Sequence, residues 1–212
     1  MLPALGAAAA VSALLAIVAD WNETKPRIFL LLKPLTTLLI IGIALLAPPG
    51  TYRDLILAGL ILSLLGDVFL MFEGNGPFMG GLSSFLIAHF LFGWTYLHGV
   101  DIESVPLWAG VFVLYGLAFS FVLLPRAGSL AIPVLVYGAA LMGMAITASI
   151  RYVNVDDASG ILVLIGASLF VLSDSALGAR KFLGRYTGAQ GVILSTYWSA
   201  IGLMALSAHA SA

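Results

Sequence analysis

The sequence predicts an all-α membrane protein, a bundle of about eight transmembrane helices forming one domain over residues 1–212, and three observations carry that prediction. Of 212 residues, 61% are hydrophobic and 9% charged, with a mean hydropathy of +1.10; an ordinary soluble domain is roughly a quarter charged. Apolar stretches of about 18–20 residues recur along the chain, enough at ~1.5 Å per residue to cross a hydrocarbon core of roughly 30 Å. The segments between them are too short to hold a soluble domain.

The first run, 2–19, is Ala-rich and has the look of a signal peptide. A secretory signal begins with a basic region, and no Lys or Arg precedes Lys25, so the run reads as a transmembrane helix. The others follow at 28–47, 54–72, 80–97, 106–124, 129–150, 159–177 and 188–208. Polar or Pro/Gly-containing connections separate them: Asp20–Arg27, Pro48–Arg53, Glu73–Met79, His98–Val105, Pro125–Gly128, Arg151–Ala158 and Gly178–Thr187. The runs lack the two-residue alternation of a transmembrane barrel.

Lys25, Arg27, Arg126, Arg180, Lys181 and Arg185 fall in connections on one side, against Arg53 and Arg151 on the other. The positive-inside rule makes the first side cytoplasmic, with both termini outside a bacterial cytoplasmic membrane. A net charge of −1 gives no basic face for nucleic acid. The absence of cysteine excludes disulfides, thiolate metal sites and thiol nucleophiles.

An ionisable side chain at a helix centre costs about 2.5–3.5 kcal/mol on insertion scales, so each one needs a reason. Lys33, Asp67, His89 and Asp174 lie inside the runs. Lys33, Asp67 and Asp174 all approach the same membrane face although their helices run in alternating directions, which a shared cavity on the cytoplasmic side would explain. Lys33 reads either as a snorkelling ammonium or, with Thr36 and Thr37 on one helix face, as a binder of an anionic group such as phosphate. The two aspartates read as a chemical pair or as structural partners of Lys33. His89 is a core histidine or a site residue. Gln190 and Tyr197, seven apart on the last run, line the same cavity or hold helices together.

Three histidines, of which His98 and His209 fall near the opposite face from Asp67, do not make a zinc site, and no metal or cofactor is expected. No G-x-S-x-G nucleophile elbow is present. Two carboxyls are the sharpest chemical feature that remains.

The motifs Lys33-Pro34-Leu35-Thr36, Gly66-Asp67-Val68-Phe69-Leu70-Met71 and Phe85-Leu86-Ile87-Ala88-His89, with Ser173-Asp174 followed by Phe182 and with Tyr197-Trp198, run in order on successive expected spans. In them the chain resembles the YhhN-like lysoplasmalogenase family. One departure is Trp198 and Ile201, where the family pattern tends to Tyr and Gln. The resemblance implies hydrolysis of the sn-1 vinyl ether of a lysophospholipid, lysoplasmalogen, to a fatty aldehyde and glycerophosphoethanolamine or glycerophosphocholine. Its site would comprise Asp67 and Asp174 as catalytic carboxyls and Lys33, Thr36, His89, Gln190 and Tyr197 around the substrate. A vinyl ether is opened by protonation at carbon, and the oxocarbenium ion so formed is captured by water. One acid and one anion serve that chemistry, as they do for glycosides. The rival reading is a proton- or cation-coupled transporter or a lipid-binding membrane protein, because buried aspartates and helix prolines also suit coupled transport.

Overall fold

The structure, a computed structural model, describes residues 1–21 and 24–211. Eight α-helices follow one another: α1 (Leu2–Ala19), α2 (Arg27–Leu45), α3 (Thr51–Leu70), α4 (Asn75–Leu97), α5 (Gly110–Ala127), α6 (Ala131–Asn154), α7 (Ala158–Phe182) and α8 (Ala189–Ala210). Two single 3-10 turns, Leu107–Ala109 and Gly128–Leu130, lead into α5 and α6, and no strand occurs among the described residues. The chain is therefore an all-α, multi-pass membrane protein. Six segments are long and apolar enough to cross a bilayer, rather than the eight expected. One of them, Leu107–Asn154, contains both α5 and α6. Helix α3 falls outside the six because Arg53, Asp54 and Asp67 burden it with charge.

Several boundaries differ from the hydropathy runs, for local reasons. Helix α4 begins at Asn75 rather than 80, since Pro77 is tolerated in a first turn whose N–H groups have no intrahelical partner. Helix α7 continues past 177 to Phe182 and carries Arg180 and Lys181 in its last turn, where cations offset the helix dipole. Helix α6 starts at Ala131 and runs past 150 to Asn154. Arg151, expected in a connection, is buried in that last turn. Its guanidinium donates to Ser159 Oγ at 2.8 Å, lies 3.8 Å from Asp157 Oδ2 and covers the Tyr52 ring at 4.4 Å. Pro34 sits inside an unbroken α2.

Lipid-solvated helices associate through close packing and interhelical hydrogen bonds rather than through release of water. Helix α3 lies so near α4 that a Cβ at Gly59 would come within 2.4 Å of the Phe92 ring, and one at Gly66 within 2.5 Å of Phe85. Ser84 Oγ donates to the Leu62 carbonyl across the same pair at 2.6 Å. On the other flank, Ser173 Oγ donates to the Ile193 carbonyl at 3.0 Å and ties α7 to α8. Phe29, Ile56, Phe92, Phe170 and Ile201 meet in the core between these pairs. Helix α5 is peripheral: Leu123 and Ala127 are its buried residues, while Leu114, Leu117 and Phe121 face outward. The ends of α1, α3, α5 and α7 come together at the face that carries most of the basic residues, and there the polar residues of the interior gather.

Candidate active site

Asp67 sits one turn from the end of α3, placed by the close α3–α4 contact at Gly66, and is 2% exposed. Its carboxylate is fully engaged. Lys33 Nζ from α2 lies 3.3 Å from Oδ1 and donates to the Asp67 carbonyl at 3.3 Å. Thr37 Oγ1 donates to Oδ2 at 2.7 Å, and the Tyr197 hydroxyl from α8 donates to the same oxygen at 2.8 Å. Trp198 Nε1 donates in turn to Thr37 Oγ1 at 3.3 Å. An ammonium and two hydroxyl donors converging on one buried carboxylate constitute a site built to hold a negative charge.

Asp174, about two turns before the end of α7, meets a different environment. The Tyr137 hydroxyl from α6 donates to its Oδ2. His89 Nε2 from α4 stands 4.0 Å from the same oxygen, beyond hydrogen-bonding distance. The imidazole is wholly buried, edge-on to the Tyr137 and Phe170 rings at centroid distances of 5.1 and 4.8 Å, and neither ring nitrogen has a hydrogen-bond partner among the described residues. Lys33 and Asp67 thus form an ion pair, whereas among the described residues no salt bridge joins Asp174 to an ammonium or guanidinium.

Both aspartates line one small cavity of about 50 Å³, together with Lys33, Tyr197, Gln190 and Arg180. Toward the basic face it adjoins a larger polar opening of about 470 Å³, edged by Asp20, Lys25, Glu73, Arg180, Lys181 and Arg185. Gln190 bridges the two: its Nε2 donates to Asp20 Oδ2 at 2.6 Å, and Arg180 donates to its Oε1. Lys25, at a left-handed φ of 48°, donates its backbone N–H to Asp20 Oδ1 at 2.6 Å and its Nζ to the Met71 carbonyl at 3.1 Å. Partial burial lowers the pKa of its ammonium, and Glu73 opposes that shift. On its other side the small cavity shares Leu70, Phe85, Asp174 and Leu177 with an apolar cavity of about 80 Å³ between α4, α5, α6 and α7.

The structure brings Lys33, Asp67, Asp174, Gln190 and Tyr197 to one cavity wall. His89 lies behind that wall against Asp174. Thr36 is elsewhere: its hydroxyl pairs with Ser12 of α1 at 2.8 Å and donates to the Leu32 carbonyl, and Thr37, one residue on, faces Asp67. The Lys33 ammonium, read as a snorkelling cation, as a binder of an anionic group or as a partner of the aspartates, pairs with Asp67 at 3.3 Å. Sequence reasoning missed Tyr137, Asp20 and the placement of Arg180 beside Gln190. Tyr137, a hydroxyl inside an apolar run, was the one signal available for its role. Among the described residues no three His, Asp or Glu side chains gather to hold a metal ion.

The fold and this geometry define a multi-pass membrane protein with an intramembrane carboxyl pair at the end of a polar entrance. The chain belongs to the YhhN family, which matches residues 28–208. It is 31% identical over 173 residues to bovine Lysoplasmalogenase TMEM86A, covering 77% of this chain and 68% of that protein. To human Lysoplasmalogenase TMEM86B it is 32% identical over 183 residues, covering 84% of this chain and 74% of the other. Human Lysoplasmalogenase TMEM86A is 31% identical over 169 residues, 77% of this chain and 68% of that protein. No solved structure matches the chain.

Proposed function

We propose that the protein is a lysoplasmalogenase, hydrolysing the sn-1 vinyl ether of lysoplasmalogen to a fatty aldehyde and a glycerophospho-alcohol. The single observation that carries this reading is the pair of aspartates on one cavity wall, one ion-paired and one not. Kinship with proteins named lysoplasmalogenases supports the substrate.

The surroundings divide the work. Asp174, with a phenol donor and no ammonium or guanidinium bridged to it among the described residues, is the general acid: it delivers a proton to the vinyl carbon β to the ether oxygen. Positive charge then spreads over the adjacent carbon and the ether oxygen. Asp67, anionic against Lys33, Thr37 and Tyr197, stabilises that charge through a field already in place before reaction. Water adds to the oxocarbenium carbon and loses a proton to the Asp174 carboxylate, which restores the acid. His89 Nε2 is near enough to close on Asp174 while it is ionised, since catalytic hydrogen bonds often tighten only along the reaction. The hemiacetal collapses by moving its hydroxyl proton to the ether oxygen. Vinyl ether and water have then become aldehyde and alcohol, with no residue altered.

The polar opening with Lys25, Arg180, Lys181 and Arg185 suits the phosphate of the headgroup. In the proposed orientation this opening faces the cytoplasm and both termini lie outside a bacterial cytoplasmic membrane, a reading that the Lys and Arg asymmetry supports. Cysteines introduced at Arg180 and Ala212 test this, with an impermeant reagent expected to label position 212 from outside and to spare position 180.

The function itself is tested with purified protein and lysolipids that differ at the sn-1 linkage alone. Aldehyde release from the vinyl ether, with no cleavage of the acyl ester or the saturated ether, is expected. Turnover of the ester with the vinyl ether left intact would overturn the reading.

A further inference from the structure

The apolar cavity beside Asp174 has a shape of its own. On α6, Val134, Tyr137, Gly138, Leu141 and Met142 present one continuous face to it, the i, i+3, i+4, i+7, i+8 set of a helix. Phe119 and Leu123 of α5 form the outer wall, and Phe78, Leu82 and Phe85 of α4 the inner one. Three of the four hydroxyls in this lining are spent on protein partners, Ser120 being the fourth: Tyr115 donates to Ser175 Oγ at 2.7 Å, Ser175 to the Val171 carbonyl, and Tyr137 to Asp174. The wall therefore offers mostly hydrocarbon, while its mouth is the Asp174 carboxyl.

The three glycines of the lining are not equivalent. A Cβ at Gly116 would fall 2.7 Å from Met142 Cγ, and one at Gly178 would fall 3.1 Å from Leu123 Cδ1. A Cβ at Gly138 meets nothing within 4 Å. Helix packing accounts for the first two. At Gly138 no neighbour needs the space, yet the chain spends the least helix-favouring residue short of proline there, at a cost of ~1 kcal/mol relative to alanine.

We infer that this cavity is the channel for the single hydrocarbon chain of the substrate and that Gly138 sets how long a chain it admits. The inference rests on the vinyl ether reading for the identity of the reacting bond: with that bond at Asp174, the carbons beyond it lead into the adjoining slot. At about 80 Å³ the slot takes the first carbons beyond the reacting bond and leaves no room for a second chain, which favours a lysolipid over its two-chain parent. Helix α5, largely exposed to lipid, is the wall past which a chain enters sideways from the bilayer.

Gly138→Leu fills the slot without pressing on backbone. Gly143→Leu on the same helix, where an added Cβ also meets nothing within 4 Å and which does not line the cavity, controls for helix and folding effects. Two readouts are taken on wild type and both variants: kcat/KM for a short-chain and a long-chain lysoplasmalogen, and affinity for the matching saturated-ether lysophospholipids, which the chemistry cannot cleave. The expected result is that Gly138→Leu loses roughly tenfold or more on the long chain in both readouts and stays within about twofold on the short one. Gly143→Leu is expected to match wild type. Unchanged chain-length preference in Gly138→Leu, or an equal loss on both chains, would overturn the channel. If wild type cleaves no lysoplasmalogen the vinyl ether reading fails, and the saturated-ether affinities still decide whether the slot holds a chain.

Discussion

Asp67 and Asp174 are the same residue type near the same membrane face, yet one is gripped by an ammonium and two hydroxyl donors from α2 and α8, while the other has a single phenol and a histidine 4.0 Å away. The difference follows from which helices surround them. Asp67 lies in the half formed by α2, α3 and α8, where Lys33, Thr37, Tyr197 and Trp198 make a chain of donors. Asp174 lies where α4, α6 and α7 bring aromatic rings and an apolar slot. A carboxyl that must remain charged needs partners fixed in advance. One that must give up and retake a proton needs to be free of a permanent cation.

The largest effects should come from removing either carboxyl. Asp67→Asn and Asp174→Asn are each expected to lower kcat for aldehyde release by about 10²–10⁴-fold or more, measured on purified protein. Stability should separate them. Asp67→Asn leaves a buried ammonium unpaired, at ~3–5 kcal/mol, whereas Asp174→Asn retains an acceptor for Tyr137 and costs at most about 1–3 kcal/mol. Thermal unfolding in detergent reads this directly. Adding Lys33→Met to Asp67→Asn should recover most of the lost stability and none of the activity.

Lys33 sharpens the contrast further. Its ammonium belongs to Asp67, so Lys33→Ala should act on kcat with little change in KM. A pure KM effect would return it to the phosphate-binding role that its helix face suggested. Next in size, Tyr197→Phe and Tyr137→Phe each remove one donor to a carboxyl, worth about 1.5–3 kcal/mol when the acceptor is charged. Both should lower kcat by roughly 10–100-fold, with Tyr197→Phe also lowering the unfolding temperature because its acceptor is tied to Lys33 and Thr37 across three helices. Smallest is the threonine pair. Thr37→Val should reduce activity through Asp67, whereas Thr36→Val, bonded to Ser12, should cost about 1 kcal/mol of stability and leave turnover intact.

The helical membrane fold was legible in composition and run length, because a bilayer imposes both. The polar end of the bundle was legible too: Lys33, Asp67 and Asp174 fall at matching depths once the helices alternate in direction. What hydropathy does not encode is rotation about each helix axis. Thr36 and Thr37 are neighbours in sequence, yet one faces α1 and the other Asp67. The same limit hid Tyr137, whose hydroxyl is invisible in an apolar run until α6 is packed on α7. Arg151 failed for a different reason, since a charge was read as a helix end when Ser159, Asp157 and Tyr52 satisfy it inside one. The eight runs correspond to eight helices, and the apolar segments number six because Leu107–Asn154 joins α5 and α6 and because α3 carries three charges, Arg53, Asp54 and Asp67.

The central claim is that a carboxylic acid protonates the vinyl carbon and that water is captured on the hydrocarbon side of the ether oxygen. Hydrolysis in ¹⁸O-labelled water reads this from the glycerophospho product, which does not exchange its oxygen. The account predicts that this product carries no label, because its hydroxyl is the original ether oxygen. Label in the glycerol hydroxyl would mean that water attacks the glycerol carbon, and would contradict the roles given to Asp174 and Asp67.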